Sequence, residues 1–412
     1  MKKSVIVAVG DELLAGVIVN SNAAMIGELM QAVGYPVVWS MVVGDETDDI
    51  VDAVARAARE ADVVIVSGGL GPTQDDKTRQ AVARLLDSEL VRDESIVEDI
   101  RARFRAWGRE MPESNAQQAD IPAAAKAIAN PWGTAPGIRA EVDGALIFAI
   151  PGVPGEARRM LEEQILPELG RGATIRARML KCVGMSESGL ADLLGDIAVA
   201  VNPRMAFLPG GGEIRLRFVA TASDEAECLH LLDEAEKIVR ERVRDILYGV
   251  DEETLELVVG RMLKERRLNV VTAESCTAGA LAARFANIPG SSDYLLGGIV
   301  TYASEAKTSE LGVPPGLIEQ HGAVSEEVTR AMALGAKERL GADIAVSVTC
   351  AAGPDSQDGA KPGTIFLGVA GPGDAVDVRG VTVPGDRAQV LSFATTFALS
   401  FLRAHLRQLD GS

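Results

Sequence analysis

LNVVTAESCTAGALAARF, residues 268–285, decides how this chain is read. An apolar run over 268–271 stops at a turn rich in hydroxyls and a thiol. Small residues then carry the chain into helical periodicity over 278–285, so Glu274, Ser275, Cys276 and Thr277 fall between a buried strand and a helix. Open α/β sheets place chemistry at such junctions. Strand ends face the ligand crevice, and the unpaired amides of a first helical turn favour an anion or a developing oxyanion. Ser275 has two readings there, as a helix N-cap or as a nucleophile.

The same alternation recurs outward from this stretch. At 412 residues the chain exceeds one ordinary core, and 47% hydrophobic residues, only 4% aromatics and 42 glycines indicate folded α/β layers rich in Val, Ala and Leu. Strands expected over 5–9, 37–43, 62–66 and 145–150 are separated by helical periodicity from about residues 22, 48, 73, 94 and 154, which predicts a doubly wound α/β domain over 1–170. Residues 171–250 read as a small α+β domain. It has an Arg-bearing strand, a short helix over 187–194, two strands flanking Pro209-Gly210-Gly211-Gly212, a long charged helix over 224–244, and a linker over 248–251. The GGG reads first as a hairpin turn and second as a phosphate loop. Residues 251–412 predict a second α/β domain, with strands over 268–271, 294–302 and 343–349, a hairpin over 363–383, and helices over 325–340 and from Arg387.

A net charge of −18 repels phosphate backbones and disfavours nucleic acid as a partner, while small anions remain accessible to loops of backbone amides. Residues 4–10 are too short for a secretory segment, and the uncharged run over 388–402 is shorter than the roughly 20 residues that span a bilayer. A cytoplasmic protein with no membrane contact is expected. Four cysteines, Cys182, Cys228, Cys276 and Cys350, form no CxxC pair and have no histidines at zinc spacing, so reduced thiols are expected.

In the first domain, SGGLGPTQDDKT (residues 67–78) follows an expected strand, and its glycines before a helix suit a backbone cradle for phosphate beside the carboxylates of Asp75 and Asp76. The loops GDELLAG (10–16) and PGVPGE (151–156) also follow strands and gather on the same sheet edge. Together with NPWGTAPG (130–137), these motifs resemble the molybdopterin-binding-like N-terminal domain of the CinA (competence/damage-inducible) family. That resemblance implies hydrolysis of the ADP-ribose pyrophosphate with a divalent metal ion as cofactor. It implies that Gly68, Gly69, Gly71 and Thr73 hold phosphate, that Asp75 and Asp76 serve metal or water activation, and that Asp11, Asn22 and Glu156 lie around the ligand. Which carboxylate takes the metal stays open.

In the third domain, VTYASEAK (300–307) places Tyr302 and Lys307 after an apolar strand. A lysine there reads as a surface charge or as a base. No Ser-His-Asp set is evident among the three histidines, so a nucleophilic serine would rely on a lysine whose pKa is lowered by burial or nearby positive charge. PGSSDYLLGG (289–298), HGAVSEE (321–327), VTCAAGP (348–354) and PGDRAQV (384–390) extend the resemblance to the C-terminal CinA domain, with a KH-type domain between. This implies a nicotinamide-nucleotide amidase without a cofactor, which converts nicotinamide mononucleotide to nicotinate mononucleotide and ammonia.

Carried over, Ser275 is the nucleophile, with Ser292 in reserve as nucleophile or proton relay, Lys307 the base and Tyr302 the residue that orients them. The amides of Cys276 and Thr277 would stabilise the oxyanion, and Thr349 and Arg387 would hold the pyridine amide or phosphate. Two departures stand out: Ala278-Gly279 where the family has a double glycine, and Cys350-Ala351 where it has Gly-Ile. Cys276 and Cys350 would share the crevice, which leaves a cysteine nucleophile as an alternative. The resemblance implies a homodimer acting on small nucleotides in pyridine-nucleotide salvage. The rival reading is a non-catalytic nucleotide- or partner-binding protein in competence or the DNA-damage response.

Overall fold

A computed structural model describes residues 2–170, 173–373 and 375–409. The chain divides into two compact units, one of residues 1–176 with 220–230 and the other of 177–219 with 231–412.

The first unit is built on a six-stranded sheet in which Val37–Val43, Ser4–Val9, Val63–Ser67 and Ala145–Ile150 run parallel and Gly137–Val142 and Lys126–Ile128 continue antiparallel. Alternation sorts the central strands onto two cores. Val5, Val7, Val64 and Val66 pack with Ile50 and Val54 of the helix Thr47–Glu60, whereas Ile6, Ile65 and Phe148 pack with Ile26 and Met30 of the helix Ser21–Ala32. Burial on both faces is why these strands read as unbroken apolar runs. The loops after the three parallel strands Ser4–Val9, Val63–Ser67 and Ala145–Ile150 therefore share one edge, as the sequence implied. Helical periodicity from Thr73 proves to be a turn, and the helix begins only at Thr78. The Asp76 carboxylate bonds back to the amides of Gly71 and Thr73, a local alternative to helix.

In the second unit, Leu295–Val300, Val270–Glu274 and Ile344–Cys350 are parallel, and Thr364–Ala370 with Val376–Thr382 add an antiparallel hairpin. Residues of the helices Leu255–Arg266 and Arg387–Gln408 cover one face with Val270, Val346 and Val348, and residues of Ser304–Leu311 and Glu326–Leu340 cover the other with Val271 and Ala273. A four-stranded sheet follows the order Arg204–Gly210, Glu213–Ala222, Thr174–Val183, Leu247–Val250. The linker expected at 248–251 is thus largely an edge strand, with Gly249 opposite Lys181 and Tyr248 buried. Four apolar or small residues beside an open strand edge pair with it.

The GGG stretch is a hairpin, as its first reading held. Gly211 and Gly212 turn at φ 63° and 87° between paired strands, the left-handed geometry of a two-residue hairpin turn. A Cβ at Gly212 would also lie 2.8 Å from Phe393 Cδ1. Gly212→Val is expected to lower stability by about 2 kcal/mol or more, through left-handed strain and overpacking. Chemical denaturation of the full-length protein measures this.

Candidate functional site

Strand register builds the site of the second unit. Glu274 lies level with Val300 and Val348, so Ser275, Thr301 and Thr349 emerge side by side at the C-terminal edge, about 5 Å apart by ordinary strand spacing. The Ser275 amide donates to the Val348 carbonyl and the Thr301 amide to the Glu274 carbonyl, which locks the three strand ends together. Continued alternation puts Ser275 on the face of Val271 and Ala273, beneath the helix Ser304–Leu311 that carries Lys307.

The hydroxyl of Ser275 does not cap the helix. That helix, Ala280–Ala286, starts five residues later, behind left-handed Ala278 (φ 51°) and Gly279 (φ 96°). The capping group is the fully buried Glu274 carboxylate. It accepts from the hydroxyls of Thr272 (3.0 Å) and Thr277 (2.7 Å) and the amides of Gly279 (3.0 Å), Leu281 (2.9 Å) and Ala282 (2.8 Å). An anion already neutralises this helix start. The amides of Cys276 and Thr277, and the Ser275 hydroxyl, take part in none of these bonds. Glu274 was legible as an acid at the junction, yet its capping role required the fold.

Lys307 is 1% exposed on the helix Ser304–Leu311, so the reading of it as a surface charge falls. Its Nζ donates to the carbonyls of Thr301 (2.9 Å) and Tyr302 (3.4 Å), and burial holds the amine below the ordinary lysine value, against the smaller opposing pull of Asp358 and Glu305. Thr301 was not foreseen. Its buried hydroxyl has no partner among the described residues, directly beside the Lys307 anchor.

Several expected roles are corrected. The phenol of Tyr302 does not orient Ser275 and Lys307: it accepts from Arg387 Nη2 (2.9 Å), while Arg387 Nη1 donates to the Gly353 carbonyl (3.2 Å). Thr349 is fully buried and shares a 2.7 Å hydrogen bond with the Thr329 hydroxyl, so it faces a helix rather than a ligand. Ser292 is exposed in the turn before the strand Leu295–Val300, whose other end leads to Tyr302. Six residues of strand, about 20 Å, separate it from the Ser275 edge. It cannot share this site. Cys276 and Cys350 are joined as a disulfide with Cα atoms 5.7 Å apart, which overturns the expectation of reduced thiols and closes the cysteine-nucleophile alternative for this form. Cys182 and Cys228 are free and buried.

In the first unit a cleft of about 450 Å³ is lined by Asn22, Gly68, Gly69, Gly71, Asp75, Asp76 and Glu156, together with Asp45 and Gln118. Asp11 and Thr73 lie at its margin: Asp11 exchanges amide-to-carboxylate bonds with Asp45, and the Thr73 hydroxyl donates to Asp76. The Gly68 amide donates to Ile150, and those of Gly71 and Thr73 to Asp76. A phosphate cradle from these three amides is therefore ruled out in this geometry, and Gly69 and Leu70 carry the amides left over. Buried Arg79 clamps the carbonyls of Leu70 (2.6 Å) and Gly71 (2.9 Å) from behind, a second residue sequence reasoning missed.

Asn22 is held by Nδ2 bonds to Ser67 (3.0 Å) and Gly152 (2.8 Å), which turns its buried, unpartnered Oδ1 into an acceptor for a ligand donor. Glu156 accepts from Asn130 Nδ2 at 2.7 Å, and Asn130 also holds the amides of Trp132 and Gly133. Burial, then the neighbouring charges of Asp11, Glu12 and Asp75, raise the Asp45 carboxyl above its ordinary value. Among the described residues no three His, Cys, Asp or Glu side chains form a metal-ligating group. Asp76 also holds the loop, through the amides of Gly71 and Thr73. No described helix is long and apolar enough to cross a membrane.

Comparison with known proteins matches residues 5–171 to a probable molybdopterin binding domain, 177–249 to the damage-inducible protein CinA KH domain, and 252–406 to the CinA C-terminal domain. A CinA-like protein of Frankia casuarinae is 42% identical over 99% of this chain and 97% of its own length, and a putative competence-damage inducible protein of Moorella thermoacetica is 42% identical over 97% of each. The chain belongs to the CinA family. A solved CinA structure of unknown function from Thermoplasma acidophilum is 36% identical, covering 40% of this chain and 98% of its own, with a TM-score of 0.37.

Against the CinA pattern, Ala278 is the residue at which a glycine would matter. It is left-handed rather than helical, a geometry that costs a side chain about 1 kcal/mol. A cavity of about 850 Å³ in the second unit is lined by Gly210, Gly211, Gly212, Glu213, Phe393, Phe397 and Phe401 among others, and by none of the expected site residues.

The Glu274 carboxylate yields a direct test. Glu274→Gln turns an amide donor toward donors and leaves buried N–H groups unpaired, so a loss of about 3 kcal/mol is expected. Thermal unfolding read together with hydrogen exchange at the amides of Gly279, Leu281 and Ala282 checks it, with exchange rising at these positions first.

Proposed function

We propose that the C-terminal domain of this CinA-family protein is a serine–lysine amidase that converts nicotinamide mononucleotide to nicotinate mononucleotide and ammonia. The observation that carries the reading is a buried amine, with a lowered pKa, held by the Thr301 carbonyl on the strand end that lies level with Ser275, whose hydroxyl caps nothing. A lysine can act as a base only in its neutral form, and burial enlarges that fraction. Ser275 Oγ attacks the carboxamide carbon while Lys307 takes its proton, then returns one to the departing ammonia. Lys307 must exchange a carbonyl contact to do so, a rotamer change within a long side chain. The amides of Cys276 and Thr277 receive the oxyanion. Arg387, steadied by Tyr302 and Gly353 with further N–H donors to offer, receives the phosphate. Water then cleaves the acyl–serine ester.

Ser275→Ala and Lys307→Met are each expected to reduce ammonia release at least a hundredfold with the circular dichroism spectrum retained. Near-normal turnover in either variant would sink the assignment. Wild-type rate should rise with pH through a value below 10.5 as Lys307 loses its proton. Between that value and the ordinary one the unfolded lysine binds more protons than the folded one, so stability also rises with pH across the window.

For the N-terminal domain we propose hydrolysis of a nucleoside diphosphate sugar of the ADP-ribose type. The amides of Gly69 and Leu70 suit a pyrophosphate oxygen, and the unpartnered Asn22 Oδ1 suits a ribose hydroxyl. Asp75 would hold a divalent cation whose other ligands are phosphate oxygens and water, and the ion would supply charge neutralisation at the pyrophosphate. Asp75→Asn is expected to lower metal-dependent AMP release at least tenfold and to weaken binding of the ion, read by calorimetry with Mg²⁺ or Mn²⁺. Unchanged release and unchanged metal affinity would remove Asp75 from this role.

A further inference from the structure

Thr301 is the residue of this site whose hydroxyl the fold leaves without a use. The ladder that sets Val300 level with Glu274 continues by one residue, so Thr301 stands beside Ser275. Ile299 and Ala273, two positions earlier on the two strands, pack in one apolar cluster with Leu311. Alternation therefore puts the side chains of Thr301 and Ser275 on a single face, the one beneath the helix Ser304–Leu311 that carries Lys307.

Other buried hydroxyls of these strand ends are engaged. Thr272 and Thr277 donate to Glu274, Ser347 donates to the Thr329 carbonyl, and Thr349, level with Ser275 on its other side, shares a bond with the Thr329 hydroxyl. The Thr301 hydroxyl is completely buried and has no partner among the described residues. Such a group destabilises the fold that contains it, and valine would fill the same space without the penalty, so a threonine kept here calls for a use in the chemistry. The Lys307 amine is anchored on this same residue. Nζ donates to the Thr301 carbonyl at 2.9 Å and, more loosely, to the Tyr302 carbonyl at 3.4 Å. Giving up the longer contact leaves the amine on Thr301, whose carbonyl and hydroxyl are held close by its own covalent frame.

We propose that Thr301 is the proton relay of the amidase centre, its hydroxyl linking Ser275 Oγ to Lys307 Nζ. As Ser275 Oγ bonds to the carboxamide carbon, its proton passes to Thr301 Oγ1 while the Thr301 proton passes to the lone pair of Nζ. The threonine ends as it began, and the ammonium of Lys307 carries the charge. When the tetrahedral intermediate collapses, the ammonium returns a proton to Thr301, which gives its own to the departing nitrogen. The C–N bond breaks and ammonia leaves. A hydroxyl is donor and acceptor at once, which a relay requires, and one already bonded to the fold could not hand its proton on. Rotation about χ1 among its staggered wells carries a hydroxyl toward its neighbour on the adjacent strand, and catalytic hydrogen bonds often close only with substrate in place.

The relay rests on the amidase reading for its substrate, and labelling of Ser275 tests it apart from that substrate. Full-length wild type, Thr301→Val and Thr301→Ser are compared for ammonia release from nicotinamide mononucleotide, for thermal unfolding, and for the rate at which phenylmethanesulfonyl fluoride labels Ser275, read by mass spectrometry. Expected for Thr301→Val are a kcat lower by roughly a hundredfold with KM within about twofold, slower labelling, and a melting temperature equal to or above that of wild type. Thr301→Ser, which restores the hydroxyl, is expected to recover turnover to within about tenfold of wild type. Turnover or labelling near wild type in Thr301→Val would overturn the proposal, as would failure of Thr301→Ser to recover them. So would a Thr301→Val protein that melts well below wild type, because the hydroxyl would then have a structural bond. Should no form release ammonia while labelling of Ser275 still follows the Thr301 hydroxyl, the amidase reading falls and the relay stands. Without ammonia and with labelling the same in all three proteins, both fall.

Discussion

The carboxylate of Glu274 is the constraint on which the C-terminal site depends. It is fully buried at the end of the central strand and surrounded by five donors, three of them amides around the start of the following helix. A buried charge is tolerable only when its hydrogen-bonding capacity is met, so the turn 275–279 is folded around the carboxylate. The consequence for function is indirect but decisive. A helix start that would otherwise recruit the nearest hydroxyl as a cap is already satisfied, and Ser275 is left with no structural duty.

The N-terminal cleft follows a related logic with different residues. Asp76 draws in the amides of Gly71 and Thr73 from the front of the glycine loop, and Arg79 fixes two carbonyls from behind. A loop held on both sides offers its remaining donors in a fixed direction, which is how backbone amides bind anions without a net positive charge. In both sites an acidic side chain is an organiser, and the groups available for chemistry are those the organiser leaves unbonded. The family matches over 5–171 and 252–406 cover these two loops, and the roles of the residues follow from local bonding.

Much of the fold was legible because both faces of the central strands are buried. The strands Val37–Val43 and Ala145–Ile150 coincide with their expected extents and the helix Glu94–Ala106 with its expected start, since apolar periodicity is a local signal. The failures also have local causes. Thr73 to Lys77 carries helical composition, yet the Asp76 side chain captured the amides of Gly71 and Thr73, and 248–251 has linker composition, yet a free strand edge captured it. Both outcomes depend on a partner distant in space or on a competing hydrogen bond, neither of which periodicity records.

The sequence by itself determined the parallel strands, the strand-to-helix turn at Ser275, the glycine loop at 67–78 and the family, because each is carried by consecutive residues. Only the tertiary structure decided which hydroxyl is free, which amides remain as donors, that Ser292 sits at the wrong end of its strand, and that Lys307 is buried beside Thr301. It also brought together Cys276 and Cys350, 74 positions apart, on adjacent parallel strand ends. The physical reason is common to all of them. Hydrogen-bond saturation and burial are properties of neighbours in space, and strand register, invisible in a single sequence, chooses those neighbours.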